Sequence, residues 1–363
     1  MKSSLDKLIT CVLTPVSWIY GAVMWTRNKM FDNGMLTSTE YDVPVVGVGN
    51  ITVGGTGKTP HVEYIASMLA SRYRIAVLSR GYKRKTRGFV LANSRSTPDI
   101  LGDEPMQIYN KYGHNVKVAV CENRRRGITE LLKLFPDLDL ILLDDSFQHR
   151  WVKPKVSVLL LDYNRPVHKD HLLPLGRLRE PVHSLYRADM VIITKCPEQM
   201  SPLDYRLKSN ELGLMNFQKL YFSGYGYGPL SPVFPDDAPY SASLSSLSSR
   251  DSVLLLTGIA YPRHFVNHFR SYPFKVKVSR FPDHHDFSRE DIADIRKQYD
   301  AMKGERKIIL TTEKDAVRLS YNPYFPKELK PFVFYQPIAV EFRDGIESAD
   351  FIGDLTAAIE RGK

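Results

Sequence analysis

The sequence predicts an α/β protein of two domains behind an apolar N-terminal helix. Three observations point there. From Val43 onward short apolar runs alternate with longer amphipathic segments, the texture breaks near Tyr221 before the alternation resumes, and Leu8 to Trp25 carries no charge. Short, nearly continuous apolar strands alternating with helices are the pattern of a parallel sheet covered on both faces. A length of 363 residues also exceeds one comfortable domain.

The N-terminal stretch comes first. Lys2 and Lys7 precede it, and Arg27 and Lys29 follow. Trp18, Tyr20, Met24 and Trp25 crowd the place where a signal-peptide cleavage site would need small residues. The run is slightly short of the ~20 residues that span a bilayer, and Pro15 interrupts its hydrogen bonding. Thr10, Thr14, Ser17 and Gly21 form one narrow stripe at helical spacing on an otherwise apolar surface. Such a helix suits a membrane interface, with its tryptophans at headgroup depth. The competing expectation is a helix packed on the protein's own core.

Strands are expected at Val43–Gly49, Ile75–Ser79, Val116–Val120, Leu138–Leu143, Val156–Leu161 and Met190–Thr194, with helices after Gly57 and over Glu122–Leu134. Between Gly224 and Arg250 glycine, proline and the serine tract Ser241–Ser249 dominate, which reads as a hinge. Beyond it come strands at Val253–Thr257, Lys275–Val278, Ile308–Thr312 and Phe332–Tyr335, and helices near Pro262–Arg270, Arg289–Met302 and Ser348–Glu360. The expected division is a membrane-associated helix over 1–30, a nucleotide-binding α/β domain over 31–220, a hinge over 221–250 and a smaller α/β domain over 251–363.

Composition narrows the partners. Hydrophobic residues make up 43% and charged residues 25%, and the net charge of +10 favours nucleotide phosphates, nucleic acid or an acidic membrane face. No aromatic-basic cluster or recognised module supports nucleic acid, and nothing points to an obligate protein partner. Cys11, Cys121 and Cys196 are too sparse and too widely spaced for a disulfide framework or a structural zinc site.

The chemistry centres on Thr52-Val53-Gly54-Gly55-Thr56-Gly57-Lys58-Thr59, between an apolar strand and a helix. Glycines let backbone amides curl round phosphates, Lys58 can reach the β- and γ-phosphates, and the Thr59 hydroxyl can ligate Mg²⁺. This is a P-loop for ATP, with Thr52 where the usual leading glycine stands. The strand ending in Asp144-Asp145 has the form of a Walker B acid beside the metal, and acids after strands also serve as caps. Gly102-Asp103-Glu104-Pro105 offers a carboxylate pair before a helix, suited to a base, a metal ligand or a cap. Arg177 and Arg179 sit in a loop where a guanidinium could neutralise a transferring phosphoryl group. In Asp283-His284-His285-Asp286, adjacent histidines on a strand would point to opposite faces, so one histidine assisting a carboxylate is the leaner reading.

Taken together, Val48–Pro60, Ser79-Arg80-Gly81-Tyr82, Gly102–Pro105, Asp144-Asp145-Ser146-Phe147-Gln148-His149, Leu173–Gly176 with Arg179-Glu180, Asp283-His284 and Thr312-Glu313-Lys314-Asp315-Ala316-Val317 resemble, in order, the blocks of the tetraacyldisaccharide 4′-kinase (lipid A 4′-kinase) family. The resemblance implies transfer of the ATP γ-phosphate to the 4′-hydroxyl of an acylated glucosamine disaccharide 1-phosphate, with Mg²⁺. It also implies the cytoplasmic face of a Gram-negative inner membrane, contacted through residues 8–25, and two α/β/α domains joined by a hinge. Carried over by motif, Asp103 and His284 are the pair that activates the sugar hydroxyl. Lys58 and Thr59 look like phosphate and Mg²⁺ contacts, Asp144 and Asp145 like the acids near the metal, and Arg179 like a phosphate-facing arginine; Glu104, on its chemistry, is a further candidate metal ligand. One departure is Ser146, where the family often has glycine; a positive φ there would strain serine. The rival reading is a membrane-associated P-loop ATPase switch of the partitioning or targeting type. Val53 occupies the place where those proteins often carry an extra lysine.

Overall fold

The computed structural model describes residues 4–238, 243–259, 262–343 and 350–361. Residues 239–242 of the expected hinge and 348–349 of the expected closing helix lie outside them.

Two sheets organise the chain. The larger comprises β1 (Val45–Gly49), β2 (Ile75–Ser79), β3 (Val90–Leu91), β4 (Val116–Val120), β5 (Leu140–Asp144), β6 (Val156–Asp162), β7 (Met190–Thr194), β8 (Lys219–Tyr227) and β14 (Ile338–Phe342). The smaller comprises β9 (Ser231–Pro232), β10 (Ser252–Thr257), β11 (Lys275–Arg280), β12 (Lys307–Thr311) and β13 (Val333–Tyr335). The helices are α1 (Ser4–Asp32), α2 (Lys58–Leu69), α3 (Pro98–Leu101), α4 (Asp103–Tyr112), α5 (Arg124–Leu134), α6 (Pro202–Leu212), α7 (Arg263–Arg270), α8 (Arg289–Asp300), α9 (Glu313–Ser320) and α10 (Phe351–Glu360).

The large sheet runs β14-β8-β7-β6-β1-β5-β2-β4-β3, parallel except at its two edges. Every residue of β1, β2, β5, β6 and β7 is buried, which is why those segments read as unbroken apolar runs. One face packs Val62, Ile65 and Leu69 of α2, Ile108 of α4 and Leu355 and Ile359 of α10. Ile128 and Leu131 of α5 cover the other. With β1 between β5 and β6, the loops after β1 and β5 open side by side at the carboxyl edge, where open parallel sheets bind ligands. The smaller sheet, β11-β10-β12-β13-β9, has α7 on one face and α8 and α9 on the other.

Two segments depart from the expected division. Gly224 and Gly226, read as hinge, lie inside β8, and Ile338–Phe342 and Phe351–Glu360, expected in the smaller domain, return to the large sheet. There β14 pairs with β8, and Phe342 stacks on Phe351 at 4.8 Å. A Cβ on Gly224 would meet the Arg343 guanidinium, and one on Gly226 the Glu341 carboxylate. The glycines make room for crossing side chains rather than for a bend. The expected hinge also contributes β9 to the smaller sheet.

Helix α1 continues through Pro15. Its Ser17 and Asn28 are buried against the protein, whereas Val12, Val16, Trp18, Ile19, Val23 and Trp25 are exposed. No helix among the described residues is long and apolar enough to cross a membrane.

Candidate active site

The glycine-rich loop leaves β1 and enters α2 at Lys58. Gly57 has φ +88°, a left-handed conformation, and a Cβ there would strike the Tyr225 hydroxyl. A helix start leaves its first amide N–H groups without intrahelical partners, and here they belong to Lys58 and Thr59. Neighbouring contacts fix the loop's shape. Asn50 Nδ2 donates to Thr56 Oγ1 at 2.7 Å, Thr194 Oγ1 donates to the Thr56 carbonyl at 2.9 Å, and Thr52 bridges to Leu178. His61 sits one turn into α2, its Nδ1 2.7 Å from the Gly57 carbonyl and its Nε2 2.9 Å from Ser223 Oγ. Burial pulls this histidine down to about 4, so it stays neutral, with Nδ1–H donating and Nε2 accepting.

The two aspartates after β5 live in opposite environments. Burial opposes the charge of Asp145, yet Lys58 at 3.6 Å and a two-pronged Arg179 contact at 2.7 and 3.1 Å hold its carboxyl well below the usual range. Asp144 is pushed well up by burial, then by Glu104 and Asp145 nearby. It accepts from Ser79 Oγ at 3.3 Å through Oδ2, while its buried Oδ1 has no hydrogen-bond partner. A buried, crowded carboxylate with an unused oxygen beside Glu104 suits a divalent cation, and Asp144 fits that role better than the already paired Asp145. Protein groups alone do not complete such a site: among the described residues no cluster of three or more His, Cys, Asp or Glu could hold a metal. Nucleotide oxygens and the Thr59 hydroxyl would have to share the ligation. The positive φ considered for Ser146 falls instead on Asp145, at +48°, a residue type that tolerates it; Ser146 is unstrained.

Asp103 and Glu104 open α4, and Gly102 is the capping residue, so neither carboxylate is consumed as a cap. Asp103 Oδ2 lies 2.8 Å from His284 Nδ1, contributed by the turn after β11 on the other lobe. His284 and His285 do part, but through a left-handed turn at His284 (φ +57°) rather than strand alternation. His285 pairs with Asp291 at 2.9 Å. Helix α9 adds two cations whose part in the site the sequence did not reveal. Arg318 Nη2 donates to Asp103 Oδ2 and its Nη1 to Asp315 at 3.2 Å. Lys314 Nζ lies 2.8 Å from His284 Nε2 and 3.4 Å from Glu104. Despite the cost of burial, His284 and Arg318 hold the Asp103 carboxyl well below its usual range. The local hints were the place of Lys314 in the block Thr312–Val317 and a basic pair at i, i+4 on one helical face.

A family model described as tetraacyldisaccharide-1-P 4′-kinase matches residues 9–358. The chain belongs to this family. A tetraacyldisaccharide 4′-kinase of Bacteroides thetaiotaomicron is 49% identical over 336 residues, covering 91% of this chain and 88% of that one. A tetraacyldisaccharide 4′-kinase of Porphyromonas gingivalis is 43% identical over 358 residues, covering 97% and 98%. The crystal structure of LpxK from Aquifex aeolicus in complex with ATP superposes with a TM-score of 0.73 at 28% identity, covering 97% of this chain and 99% of that one. Within this family frame, the loop at 52–59, the acids at 103, 104, 144 and 145, Arg179 and His284 all gather at one edge of the large sheet, facing the second lobe.

Proposed function

We propose that this chain transfers the γ-phosphate of ATP to the 4′-hydroxyl of a tetraacyldisaccharide 1-phosphate, a step in lipid A biosynthesis. The observation that carries the reading is the Asp103–His284 contact of 2.8 Å, made between lobes beside the phosphate loop of a family member. A nucleotide switch has no need of a carboxylate–histidine pair there; a kinase with a hydroxyl acceptor does.

In this reading the triphosphate lies on residues 52–59, with Lys58 on its outer phosphates. Thr59, Asp144 and Glu104 are the residues that would hold Mg²⁺, with Asp145 beside them. Mg²⁺ held there would supply neutralisation of phosphate charge. Arg179, anchored by Asp145, faces the phosphoryl group in flight. Asp103 accepts the hydroxyl proton as the new O–P bond forms and the bond to ADP breaks. Its weak basicity suits a loose transition state in which that proton leaves late. His284, from the second lobe, orients the carboxylate, and Arg318 and Lys314 fix both partners.

The lipid is met at a membrane surface. Trp18 is 73% and Ile19 66% exposed; Val12, Val16, Ile19 and Val23 recur at helical spacing along one exposed strip of α1, and Trp18 and Trp25 along another. Such an apolar surface, flanked by Arg27 and Lys29, supports seating in the interface of an anionic leaflet. The pathway points to the cytoplasmic face of a Gram-negative inner membrane.

The test is to incubate the purified chain with γ-labelled ATP, Mg²⁺ and the acylated disaccharide 1-phosphate in detergent micelles. Label should appear on the lipid at the 4′ position, and an analogue without that hydroxyl should receive none. Label on the analogue would refute the assignment of the acceptor.

A further inference from the structure

Helix α1 presents more than an apolar outer surface. On its inner side Ser17 Oγ donates to the Leu172 carbonyl at 2.8 Å, Tyr20 Oη to the Arg179 carbonyl at 2.9 Å, and Asn28 Nδ2 to Glu180 Oε2 at 3.0 Å. These partners all lie on one segment, 172–180, and its other edge is tied to the phosphate loop. The Arg179 amide donates to the Ile51 carbonyl at 2.7 Å, and the Val53 amide donates to the Arg177 carbonyl at 2.8 Å. The segment is therefore clamped between α1 and the residues that cradle phosphate. Glu180 is wholly buried; besides Asn28 it accepts from Arg187 Nη2, and its Oε1 has no hydrogen-bond partner. From this clamped backbone the Arg179 guanidinium reaches Asp145 and Asn50.

We propose that α1 is a positioning element of the transfer site, in which Tyr20 holds the Arg179 carbonyl and Asn28 the neighbouring Glu180 carboxylate, so that the Arg179 guanidinium is held at the transferring phosphoryl group. The inference rests on the kinase reading above. A helix serving only as an anchor could pack on the protein through apolar side chains. Buried polar groups each carry a desolvation cost unless paired, and here the pairs fall on the segment 172–180, one of them on the backbone of the functional arginine and one on the residue after it. The same helix thus meets lipid on its outer side and sets the geometry of phosphoryl transfer on its inner side.

Tyr20→Phe removes one hydroxyl and keeps the ring. With both substrates saturating in micelles, kcat should fall about three- to tenfold, the range expected for one lost hydrogen bond acting on the barrier. KM for ATP and for the lipid should stay unchanged. In an Arg179→Lys background the further effect of Tyr20→Phe should vanish, because the hydroxyl acts through that guanidinium. Asn28→Ala should behave alike in the same cycle. An undiminished kcat in Tyr20→Phe, a loss repeated in full on top of Arg179→Lys, or a raised lipid KM with kcat retained would each overturn the proposal. A wild-type chain that forms no phosphorylated lipid would instead sink the kinase reading itself, and this inference with it.

Discussion

Replacing Asp103 by Asn changes one oxygen to an amide and leaves the shape of the site intact, so its consequences can be worked out from the contacts. Two donors, His284 Nδ1–H and Arg318 Nη2–H, converge on Oδ2. Hydrogen bonds to a charged group contribute ~1.5–3 kcal/mol each. The amide retains a carbonyl acceptor without the charge, so a loss of about 2 kcal/mol in folding stability is expected. The effect on chemistry should be larger. A neutral amide cannot take the hydroxyl proton, and general-base assistance contributes roughly 10²–10⁴ in rate. Asp103 lies on α4, off the phosphate loop, so ATP affinity should stay within about twofold, well under 1 kcal/mol. The assay pairs kcat in lipid micelles with direct binding of a non-hydrolysable ATP analogue. Adding His284→Ala to Asp103→Asn should cost little more, because the pair acts as a unit. Turnover within about threefold of wild type, less than one lost charged hydrogen bond is worth, would refute the assigned role, as would loss of nucleotide binding in step with kcat.

Other perturbations follow from the same contacts. Asp144→Asn should raise the Mg²⁺ concentration needed for half-maximal turnover by at least about tenfold, and an unchanged Mg²⁺ titration would remove Asp144 from the metal site. Buried His61, held neutral down to about 4 against an ordinary 6.5, gives pH-dependent stability of definite sign. Its contribution is complete above pH 6.5 and is lost toward pH 4, as the unfolded chain takes up a proton that the folded chain refuses. The ceiling is about 3 kcal/mol. Denaturant titrations should show this loss in wild type and a smaller one in His61→Gln; identical slopes would contradict it. Trp18→Ser should weaken binding to anionic vesicles by about tenfold, one apolar side chain's worth, as read by co-sedimentation.

Local order was the readable part of this molecule. The strands at 75–79 and 190–194 fall where the apolar runs placed them, because a strand buried on both faces announces itself without reference to its partners. Strand β8 was obscured by Gly224 and Gly226, whose purpose becomes visible only once Glu341 and Arg343, more than a hundred residues on, cross them. For the same reason β14 and α10 were expected with the second lobe: nothing in their own residues says which sheet they join. At the site, Lys58, Asp103, Asp145, Arg179 and His284 were all legible as motif residues, and the structure brings them to one edge of the large sheet. Arg318 and Lys314 are placed at the site by α9 packing on α3 and α4, with Val317 against Leu101 and Met106. The small-residue stripe on α1 was visible, but not its direction. Ser17 and Gly21 turn toward Leu172 and leave the tryptophans outside.

One ratio measures where the γ-phosphate goes: ADP formed against phosphate gained by the disaccharide lipid, in a single reaction with purified chain, ATP, Mg²⁺ and lipid in micelles. A 4′-kinase keeps the two equal and makes little ADP when lipid is left out. ADP accumulating at the same rate without lipid, with free phosphate as the other product, would contradict the account and favour a nucleotide switch.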